Sequence, residues 1–419
     1  MHFISPGLSS HHNNATKTNT MKLKHSVLFS WQLSVLFFIS LFTHNLFASA
    51  SNQVSDPNAS DATRAVQTYL AALSNNSIPG VIAGQNAGHS DDIISAEGLM
   101  GYIPLFLALE KATGEMPGMI GVDYEHNTIA TPEQLVKVNK ILIDYWKAGG
   151  LVSINWAPHN PWWNDESDIA GNPGVWSHTR TSGGDMSKVD LTQLINPSSP
   201  MHKIWRRKLD RIATALAELQ RADVVVLWRP LQEMNGNWFW WGISSAPNDP
   251  QPYKDLWIDM HHYFTETKGL HNLLWVYSPN QGPTLTERSF IKPIDWRYPG
   301  SKYVDIIAGT AYNDELEIRD YKNYQQFGKP IAMAEFGPVA GGKLSRRGEL
   351  DTTAYAKRLQ QKYPDIAYWM SWSSWSNGDG TQENQALIHN KNATLLFANP
   401  NVLTQKRVLW KNYLFTNNK

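Results

Sequence analysis

Short apolar runs alternate with longer amphipathic stretches through most of the chain. Eight such runs can be counted: Gly80–Asn86, Met119–Glu125, Leu151–Ala157, Val224–Pro230, Asn272–Pro279, Val304–Tyr312, Pro330–Gly337 and Ile366–Ser374. This alternation is typical of parallel βαβ units. Eight is the number of strands that closes a TIM barrel. We therefore predict an α/β chain folded as a single-domain (β/α)8 barrel.

The interval after the third run is longer than the others. Residues from Asn160 to Ser199 are rich in Trp, Gly, Asp and Ser before a helical pattern begins near Met201. A long loop of this composition is expected on the active-site side of a barrel. A doubly wound open sheet is the competing architecture, but no glycine-rich phosphate loop follows the first run to support it.

The N-terminal region has the pattern of a secretory signal. Lys22 and Lys24 precede an apolar stretch at residues 27–42, and Ala48-Ser49-Ala50 follows as an A-x-A cleavage site. Met21 is an alternative start. An uncleaved membrane anchor is the competing interpretation, although polar residues interrupt the stretch and it is short for a span. We predict a secreted or periplasmic protein, free of the membrane after cleavage.

This pattern divides the chain into three parts. Residues 1–50 form an N-terminal extension and signal peptide, and residues 51–77 form a polar tether with a short amphipathic helix at about residues 62–73. Residues 78–415 form the barrel domain, which we expect to be a monomer.

Composition favours an uncharged partner. Lys+Arg and Asp+Glu both number 37, so the formal net charge is zero and nothing indicates affinity for nucleic acid or anionic lipid. The chain has 18 Trp, 16 Tyr and 14 Phe, and flat aromatic rings can stack on sugar rings as well as fill a core. Cysteine is absent, so no disulfide or thiolate metal site can form.

Two other enzyme classes lack their signatures. The 14 His include no HExxH zinc motif, and no G-x-S-x-G nucleophile elbow occurs. We predict neither a metal nor a cofactor.

Two glutamates stand where a barrel carries its chemistry. Glu233 follows the fourth apolar run and Glu335 lies in the seventh, and both are at the carboxyl end of a predicted strand. An apolar strand that places an acid among aromatic residues removes it from water, which raises its pKa and suits a proton donor. Taken alone, either glutamate has a purely structural interpretation, as a helix cap or as the partner of an arginine.

Together the two acids indicate glycoside hydrolysis. This reaction needs two carboxyl groups on either side of one bond, about 5–5.5 Å apart in retaining enzymes. The fourth and seventh strands face each other across a barrel mouth, so their terminal side chains can converge. The sequence therefore predicts a two-carboxylate glycosidase.

The fourth run leads into a long motif, Arg229-Pro230-Leu231-Gln232-Glu233-Met234-Asn235-Gly236-Asn237-Trp238-Phe239-Trp240-Trp241-Gly242. It resembles the signature RPxHExNGxWFWWG of glycoside hydrolase family 26, which consists mainly of endo-β-1,4-mannanases on (β/α)8 barrels. Val276-Tyr277-Ser278-Pro279-Asn280, Tyr298-Pro299-Gly300, Tyr303-Val304-Asp305 and Ala334-Glu335-Phe336-Gly337 are also similar to family segments. The resemblance covers roughly residues 78 to 405.

The resemblance implies a role for seven residues. Glu233 would be the acid/base and Glu335 the nucleophile. Tyr312 would hydrogen-bond the nucleophile, and Arg229 would be buried beside the two carboxylates. Gln232 and Trp238 would bind substrate, and Trp372 would form the aromatic floor under the reacting sugar, with Trp375 as the competitor for that position. Trp240 and Trp241 are equally compatible with core packing.

Four positions depart from the family pattern. Gln232 stands in place of a His, Ala157 in place of the His that follows a Trp, Thr310 in place of an Asp, and Ser373 where mannanases often carry an Arg. His159 is the candidate to replace the histidine missing at Ala157. The resemblance therefore implies an endo-β-1,4-mannanase, with a β-glucanase or β-1,3-xylanase on the same scaffold as the alternative. A non-catalytic carbohydrate-binding protein is the alternative of another class.

Overall fold

The computed structural model describes residues 49–89, 103–126, 129–163, 174 and 186–414. The predicted signal segment up to residue 48 and much of the long loop predicted between Asn160 and Ser199 lie outside these residues.

Eight parallel strands form a closed barrel, because each pairs with the next along the chain and the first also pairs with the eighth. They are β1 (Val81–His89), β2 (Met119–Asp123), β3 (Leu151–Trp156), β4 (Val226–Pro230), β5 (Leu273–Tyr277), β6 (Ile306–Tyr312), β7 (Ile331–Gly337) and β8 (Ile366–Ser371). Each overlaps its predicted run, so the predicted (β/α)8 barrel is confirmed.

Most of the α-helices lie between these strands along the chain, while one precedes β1 and one follows β8. The described helices are α1 (Asp61–Ser74), α2 (Ile103–Thr113), α3 (Pro132–Lys147), α4 (Thr192–Ile195), α5 (Pro200–Arg221), α6 (Gln251–His262), α7 (Tyr321–Gln325), α8 (Lys343–Arg347), α9 (Thr353–Lys362) and α10 (Ala393–Ala398). Local sequence sets their starts: α3 begins with Pro132 after a Thr131–Gln134 capping box, and Ser199 caps α5 just before Pro200.

The core contains much of the tryptophan that composition suggested for sugar binding. Trp156 stacks between Trp205 and Trp228, at ring-centroid distances of 5.4 and 6.0 Å. Trp240 and Trp241 are fully buried, and their ring nitrogens donate to backbone carbonyls. Aromatic content alone therefore overstates the number of sugar-stacking residues.

The connection between β5 and β6 brings a loop to the mouth of the barrel. Residues 278–305, all of which are described, contain a 3₁₀ turn at Ser301–Tyr303 but no α-helix. The loop packs beside the end of β4, because Lys292 N donates to Asn235 O at 2.8 Å and Ile291 bridges Gly236.

The segment predicted as a tether packs against the barrel. Ser55 donates to the Asp305 carboxylate through its backbone nitrogen (2.5 Å) and its hydroxyl (2.9 Å), and Asp56 pairs with His271 at 2.8 Å. Asp305 and His271 directly precede β6 and β5, so this segment contacts the barrel at the amino ends of its strands. Helix α1, predicted at residues 62–73, lies on the same side and buries its apolar face there.

The remaining strands are short. After β8, β9 (Trp375–Ser376) and β10 (Gln382–Glu383) pair antiparallel as a hairpin. The last strand, β11 (Val402–Leu403), pairs in parallel with the first two residues of β1. Among the residues that the structure describes, no helix has both the length and the apolar character needed to cross a membrane.

Candidate active site

A cleft of about 1180 Å³ lies at the carboxyl ends of the strands. Of the seven residues predicted for the site, six line it: Gln232, Glu233, Trp238, Tyr312, Glu335 and Trp372. The seventh, Arg229, is buried and forms an ion pair with one of them. The structure therefore brings these seven residues together.

Glu335 is held by an ion pair and by a hydrogen bond. It is buried near the end of β7, where Arg229 Nη1 lies 2.8 Å from Oε1 and the Tyr312 hydroxyl donates to Oε2 at 2.7 Å. A guanidinium remains protonated at any physiological pH, so it supplies a permanent positive charge beside this carboxylate. Burial and the neighbouring Glu335 raise the pKa of Tyr312 well above its usual value, so the phenol keeps its proton and donates.

Arg229 is bonded on three sides. Besides Glu335, its Nε donates to Ser278 Oγ at 2.7 Å and its Nη2 donates to Thr310 Oγ1 at 3.1 Å. These contacts join β4 to β6, β7 and the residue after β5. They fix the guanidinium plane, so the charge beside Glu335 has a defined position.

The backbone after β4 is turned sharply to present Glu233. Leu231 and Glu233 have φ angles of 51° and 55°, in the left-handed region that residues with a β-carbon rarely adopt. Hydrogen bonds from Leu231 N to Trp156 O (3.0 Å) and from Glu233 N to Ser278 O (2.7 Å) hold this conformation. The strands on either side of β4 therefore compensate for the strain of the turn.

The surroundings of Glu233 raise its pKa. Burial and the negative charge of Glu335 raise the pKa of Glu233 to about 7, against the lowering effects of Arg229 and of hydrogen bonds from Trp238 and Thr310. The two acids thus share one cleft and influence each other electrostatically. Near neutral pH, Glu233 can donate a proton while Arg229 compensates a negative charge on Glu335.

Tryptophans lie around the two acids. Trp238 Nε1 donates to Glu233 Oε2 at 2.6 Å, so this ring orients the carboxyl as well as lining the cleft. Trp372 and Trp375 both line the cleft; Trp375 is 37% exposed, and its ring nitrogen donates to Asn377 in the turn between β9 and β10.

The positions that depart from the family pattern have different surroundings. Gln232 is buried at the cleft, and its side-chain oxygen has no hydrogen-bond partner among the described residues. Ser373 also lines the cleft, Ala157 is fully buried, and Thr310 is buried beneath the acids.

His159 does not line the cleft. It is buried, with its ring bonded to His126 O at 3.0 Å and its backbone nitrogen to Glu125 Oε1 at 2.9 Å. The structure therefore does not place His159 among the residues that line the cleft, although its partner His126 is one of them.

A third glutamate at a strand end was not predicted from the sequence. It has a structural role, as the partner of an arginine. Glu125 follows β2, is fully buried, and accepts from Trp156 Nε1 at 3.1 Å and from Arg211 at 2.5 Å. Burial alone would raise its pKa, but the charges of Arg211 and Lys208 hold the pKa of Glu125 at about 2. A carboxyl that is compensated in this way cannot serve as an acid, unlike Glu233.

Three further residues of the site were not predicted from sequence. Ser278 and Thr310 bind Arg229, and Asn280 lines the cleft with its amide 3.5 Å from Glu233 Oε1. Ser278 and Asn280 directly follow β5, so the rule that strand ends carry the chemistry could have found them. No group of three potential metal ligands occurs in the described part of the chain.

Comparison with known proteins gives one consistent result. The model of "Glycosyl hydrolase family 26" matches residues 55–407. A mannan endo-1,4-β-mannosidase A and B of Caldalkalibacillus mannanilyticus is 33% identical over 358 residues, which cover 82% of this chain and 62% of that protein. A Bacillus subtilis mannan endo-1,4-β-mannosidase is 33% identical over 344 residues, covering 80% of this chain and 86% of the relative.

A solved structure agrees with these relatives. The Bacillus subtilis mannanase man26 superposes with a TM-score of 0.67 at 28% identity, covering 84% of this chain and 95% of that one. The family match extends over the barrel and over both glutamates in the cleft. The chain therefore belongs to glycosyl hydrolase family 26 and is a glycoside hydrolase built on a (β/α)8 barrel.

Proposed function

We propose that the protein is a secreted, retaining endo-β-1,4-mannanase that cleaves mannan or glucomannan. The observation that carries the mechanism is the contrast between the two acids of one cleft. Glu335 is bound by Arg229 and Tyr312, whereas the pKa of Glu233 is raised to about 7. The substrate assignment is supported by the mannan-cleaving relatives of similar sequence.

In the first step, a carboxylate oxygen of Glu335 attacks the anomeric carbon, and the bond to the leaving oxygen breaks. Glu233 donates its proton to that oxygen, which leaves as a sugar hydroxyl. The product is a glycosyl ester on Glu335 and an ionised Glu233. Arg229 and Tyr312 fix the attacking group in orientation.

In the second step, ionised Glu233 takes a proton from water as the water oxygen attacks the anomeric carbon. The ester bond breaks, Glu335 is released as a carboxylate, and Glu233 is protonated again. Two displacements at the same carbon retain the β configuration. A single side chain can serve as acid and then as base because its pKa lies close to neutral pH.

Three cleft residues would bind the sugar. Trp372 provides an aromatic face for the reacting ring, and Trp238 lines the cleft while it holds Glu233. The unpaired oxygen of Gln232 is an acceptor for a sugar hydroxyl next to the acid/base. A buried acceptor without a partner costs free energy, so a substrate that supplies the missing donor is favoured.

The N-terminal pattern supports export of the protein. Cleavage after Ala50 leaves Ser51 at the N-terminus, and its nitrogen, which donates to Gly328 O at 3.0 Å, can still make that bond as a free amine. The folded chain then begins at the segment that packs against the barrel. Mass spectrometry of the exported protein, expected as a monomer, tests this cleavage site.

A polymer screen tests the substrate assignment. Release of reducing ends is measured on mannan, glucomannan, mixed-linkage glucan, 1,3-xylan and 1,4-xylan, with expected release from the first two. Release from a glucan alone would indicate a β-glucanase instead of a mannanase, and release from 1,3-xylan alone would indicate a β-1,3-xylanase. Retention on a polymer without any release would indicate a carbohydrate-binding protein.

A matched pair of variants tests the nucleophile. Glu335→Ala should lower turnover on the order of 10⁴-fold or more while the thermal unfolding profile keeps its single transition. Glu266→Ala, which removes a largely exposed carboxylate that follows α6 and does not line the cleft, should keep full activity. Unchanged turnover in Glu335→Ala would exclude this residue as the nucleophile.

A further inference from the structure

Trp375 is an aromatic residue of the cleft to which the proposed mechanism gives no role. It lines the same cavity as the two acids and Trp372, and 37% of its surface is exposed. A flat indole on the wall of such a cleft offers an apolar face that a sugar ring can cover. The position of this indole therefore bears on how the substrate is held.

The hairpin formed by β9 and β10 carries Trp375. In this hairpin Trp375 pairs directly with Glu383, and directly opposed residues place their side chains on the same face. Trp375 Nε1 donates to Asn377 Oδ1 at 3.1 Å, and Asn377 Nδ2 donates to Glu383 Oε1 at 3.3 Å. Two consecutive hydrogen bonds therefore join the indole to the carboxylate of Glu383.

The other contacts of Glu383 cross to the segment that follows β7. Its Oε2 accepts from Gly341 N at 2.9 Å and from Ser345 Oγ at 2.6 Å, and Arg346 Nε lies 3.6 Å from Oε1. Glu383 is only 2% exposed, and hydrogen bonds to a buried carboxylate are among the stronger ones in proteins. This side chain therefore ties the hairpin after β8 to the segment after the strand that carries Glu335.

The strand order places Trp375 on one side of the bond to be cleaved. In the ring of eight strands, β8 lies opposite β4. Glu233 follows β4 and gives its proton to the leaving oxygen, so the leaving part of the substrate lies on that side. The part that stays on Glu335 of β7 extends toward β8. Trp375 is three residues beyond Trp372, so their α-carbons are at most about 10 Å apart.

We propose that Trp375 is a distal sugar-binding platform on the retained side of the substrate, and that Glu383 is the positioning residue that holds this platform in place. Glu383 is not among the residues that line the cleft, so it acts on the substrate through the indole. This inference rests on the proposed function, because it extends the same site along the polymer.

The platform is tested with aryl β-mannosides that carry one to four mannosyl units and the same activated leaving group. Only the length of the retained side differs in this series. In Trp375→Ala, kcat/KM should stay within about twofold on the single-unit substrate and fall about five- to tenfold on the longest. The loss should appear mainly in KM, because the platform binds ground state and transition state alike. An equal loss at every length would overturn the platform.

The positioning role is tested by a double-mutant cycle. Glu383→Ala should show the same dependence on length, and Trp375→Ala/Glu383→Ala should be no worse than Trp375→Ala, because both changes remove one platform. Gln382→Ala is the control, since its side chain bonds to Ser376 within the hairpin, and it should behave as the wild type. Additive losses, or a loss on the single-unit substrate, would show that Glu383 only supports the fold.

Asn377→Ala is a second variant, in case Glu383→Ala does not fold. It removes the side chain that lies between the indole and the carboxylate, and it leaves the bonds of Glu383 to Gly341 and Ser345 in place. The same length-dependent loss is expected. Wild-type kinetics on the longest substrate would overturn the positioning role.

A measurement without substrate separates this inference from the mannanase assignment. The ¹H–¹⁵N NOE of the Trp375 indole, identified by the loss of its signal in Trp375→Phe, reports motion of the ring on the ps–ns timescale. It should fall in Glu383→Ala and Asn377→Ala and stay unchanged in Gln382→Ala. An unchanged NOE in both test variants overturns the positioning role even if mannan is hydrolysed. If the wild type cleaves no aryl mannoside, the proposed substrate fails, and the length series is measured on aryl glycosides of the polymer that the screen identifies.

Discussion

Two glutamates in the same cleft differ because of the cations and donors around them. Arg229 Nη1 lies 2.8 Å from Glu335 Oε1, while Glu233 accepts from the indole of Trp238 and the amide of Asn280. Glu125, in the same barrel, is compensated by Arg211 and has a pKa of about 2. At the residue scale, the number of nearby permanent charges decides which carboxyl can act as an acid.

The proposed role of Glu233 as the acid predicts that the effect of its loss depends on the leaving group. Glu233→Ala should slow hydrolysis of manno-oligosaccharides, whose leaving group needs a proton, by about 10²–10⁴-fold. Activated aryl mannosides, which leave without protonation, should be slowed far less in formation of the glycosyl enzyme. Burst kinetics on an activated aryl substrate, compared with steady-state rates on oligosaccharides, measure the difference. Equal slowing of both substrates would remove Glu233 as the acid.

The same residue predicts a pH-dependent cost in stability. The pKa of Glu233 rises from 4.5 to about 7 on folding, so between these values the native state keeps a proton that the unfolded chain has released. The free energy of unfolding therefore falls as pH rises through this window. Glu233→Gln removes the effect, with an upper bound of about 3 kcal/mol above pH 7.

Urea unfolding at pH 4 and pH 8 checks this prediction. Glu233→Gln should exceed the wild type in stability by a larger margin at pH 8 than at pH 4. Glu110→Gln, at an exposed carboxylate on α2, serves as the control and should show no such difference. A constant margin at both values would mean that Glu233 does not bind its proton more tightly in the folded state.

At the element scale, β4 depends on its two neighbours. The left-handed residues Leu231 and Glu233 are bonded to β3 and to the residue after β5, and Tyr253 of α6 donates to Leu231 O at 3.0 Å. Such a backbone costs on the order of 1–3 kcal/mol per residue when it stands alone. The orientation of the acid is therefore a property of three adjacent strands and a helix.

Helix α1 is the element that closes the opposite side of the barrel. Leu70 is fully buried in the core cluster, and Gln67 of the same helix donates to Asp305 O at 3.1 Å. Leu70→Ala should lower the free energy of unfolding by about 2–5 kcal/mol, because it leaves a cavity beneath the strands. Activity at low temperature should be unchanged, since the cleft lies at the other end.

Denaturant unfolding with Thr68→Ala as the control measures this contribution. Thr68 lies on the less buried side of α1 and bonds within the helix, so its loss should change stability by about 0.5 kcal/mol or less. Equal effects of the two variants would mean that α1 does not stabilise the barrel through its buried face.

Element patterns also explain what could be predicted from the sequence. Parallel strands are buried on both faces, so β2 to β8 are visible as apolar runs. The segment before α1 packs through polar contacts such as Ser55–Asp305 and Asp56–His271, which no hydrophobic pattern reveals. For the same reason, the sequence does not reveal that Thr310 and Ser278 accept hydrogen bonds from Arg229, because Arg229 is remote from both in the chain.

At the scale of the whole molecule, charge balance is consistent with a neutral substrate. The chain carries 37 basic and 37 acidic residues and would lose only Lys17, Lys22 and Lys24 on the proposed cleavage, so its net charge stays small and neither strongly attracts nor strongly repels a polymer. The strong charges of the site, Arg229 and Glu335, neutralise each other and are buried. Substrate recognition must then come from aromatic faces and hydrogen bonds in the cleft.

This balance predicts that hydrolysis of a neutral mannan is insensitive to salt. Binding of a charged polymer releases counterions and weakens steeply with salt, whereas an uncharged chain releases none. We expect kcat/KM on unsubstituted mannan to change by less than about twofold between 20 and 500 mM NaCl, because exposed charges interact weakly beyond a Debye length. Initial rates at constant pH measure this, with a carboxymethylated mannan as the control whose rate should respond to salt. A steep fall with salt on the neutral polymer would show that surface charges take part in binding, and the uncharged cleft would then not account for recognition.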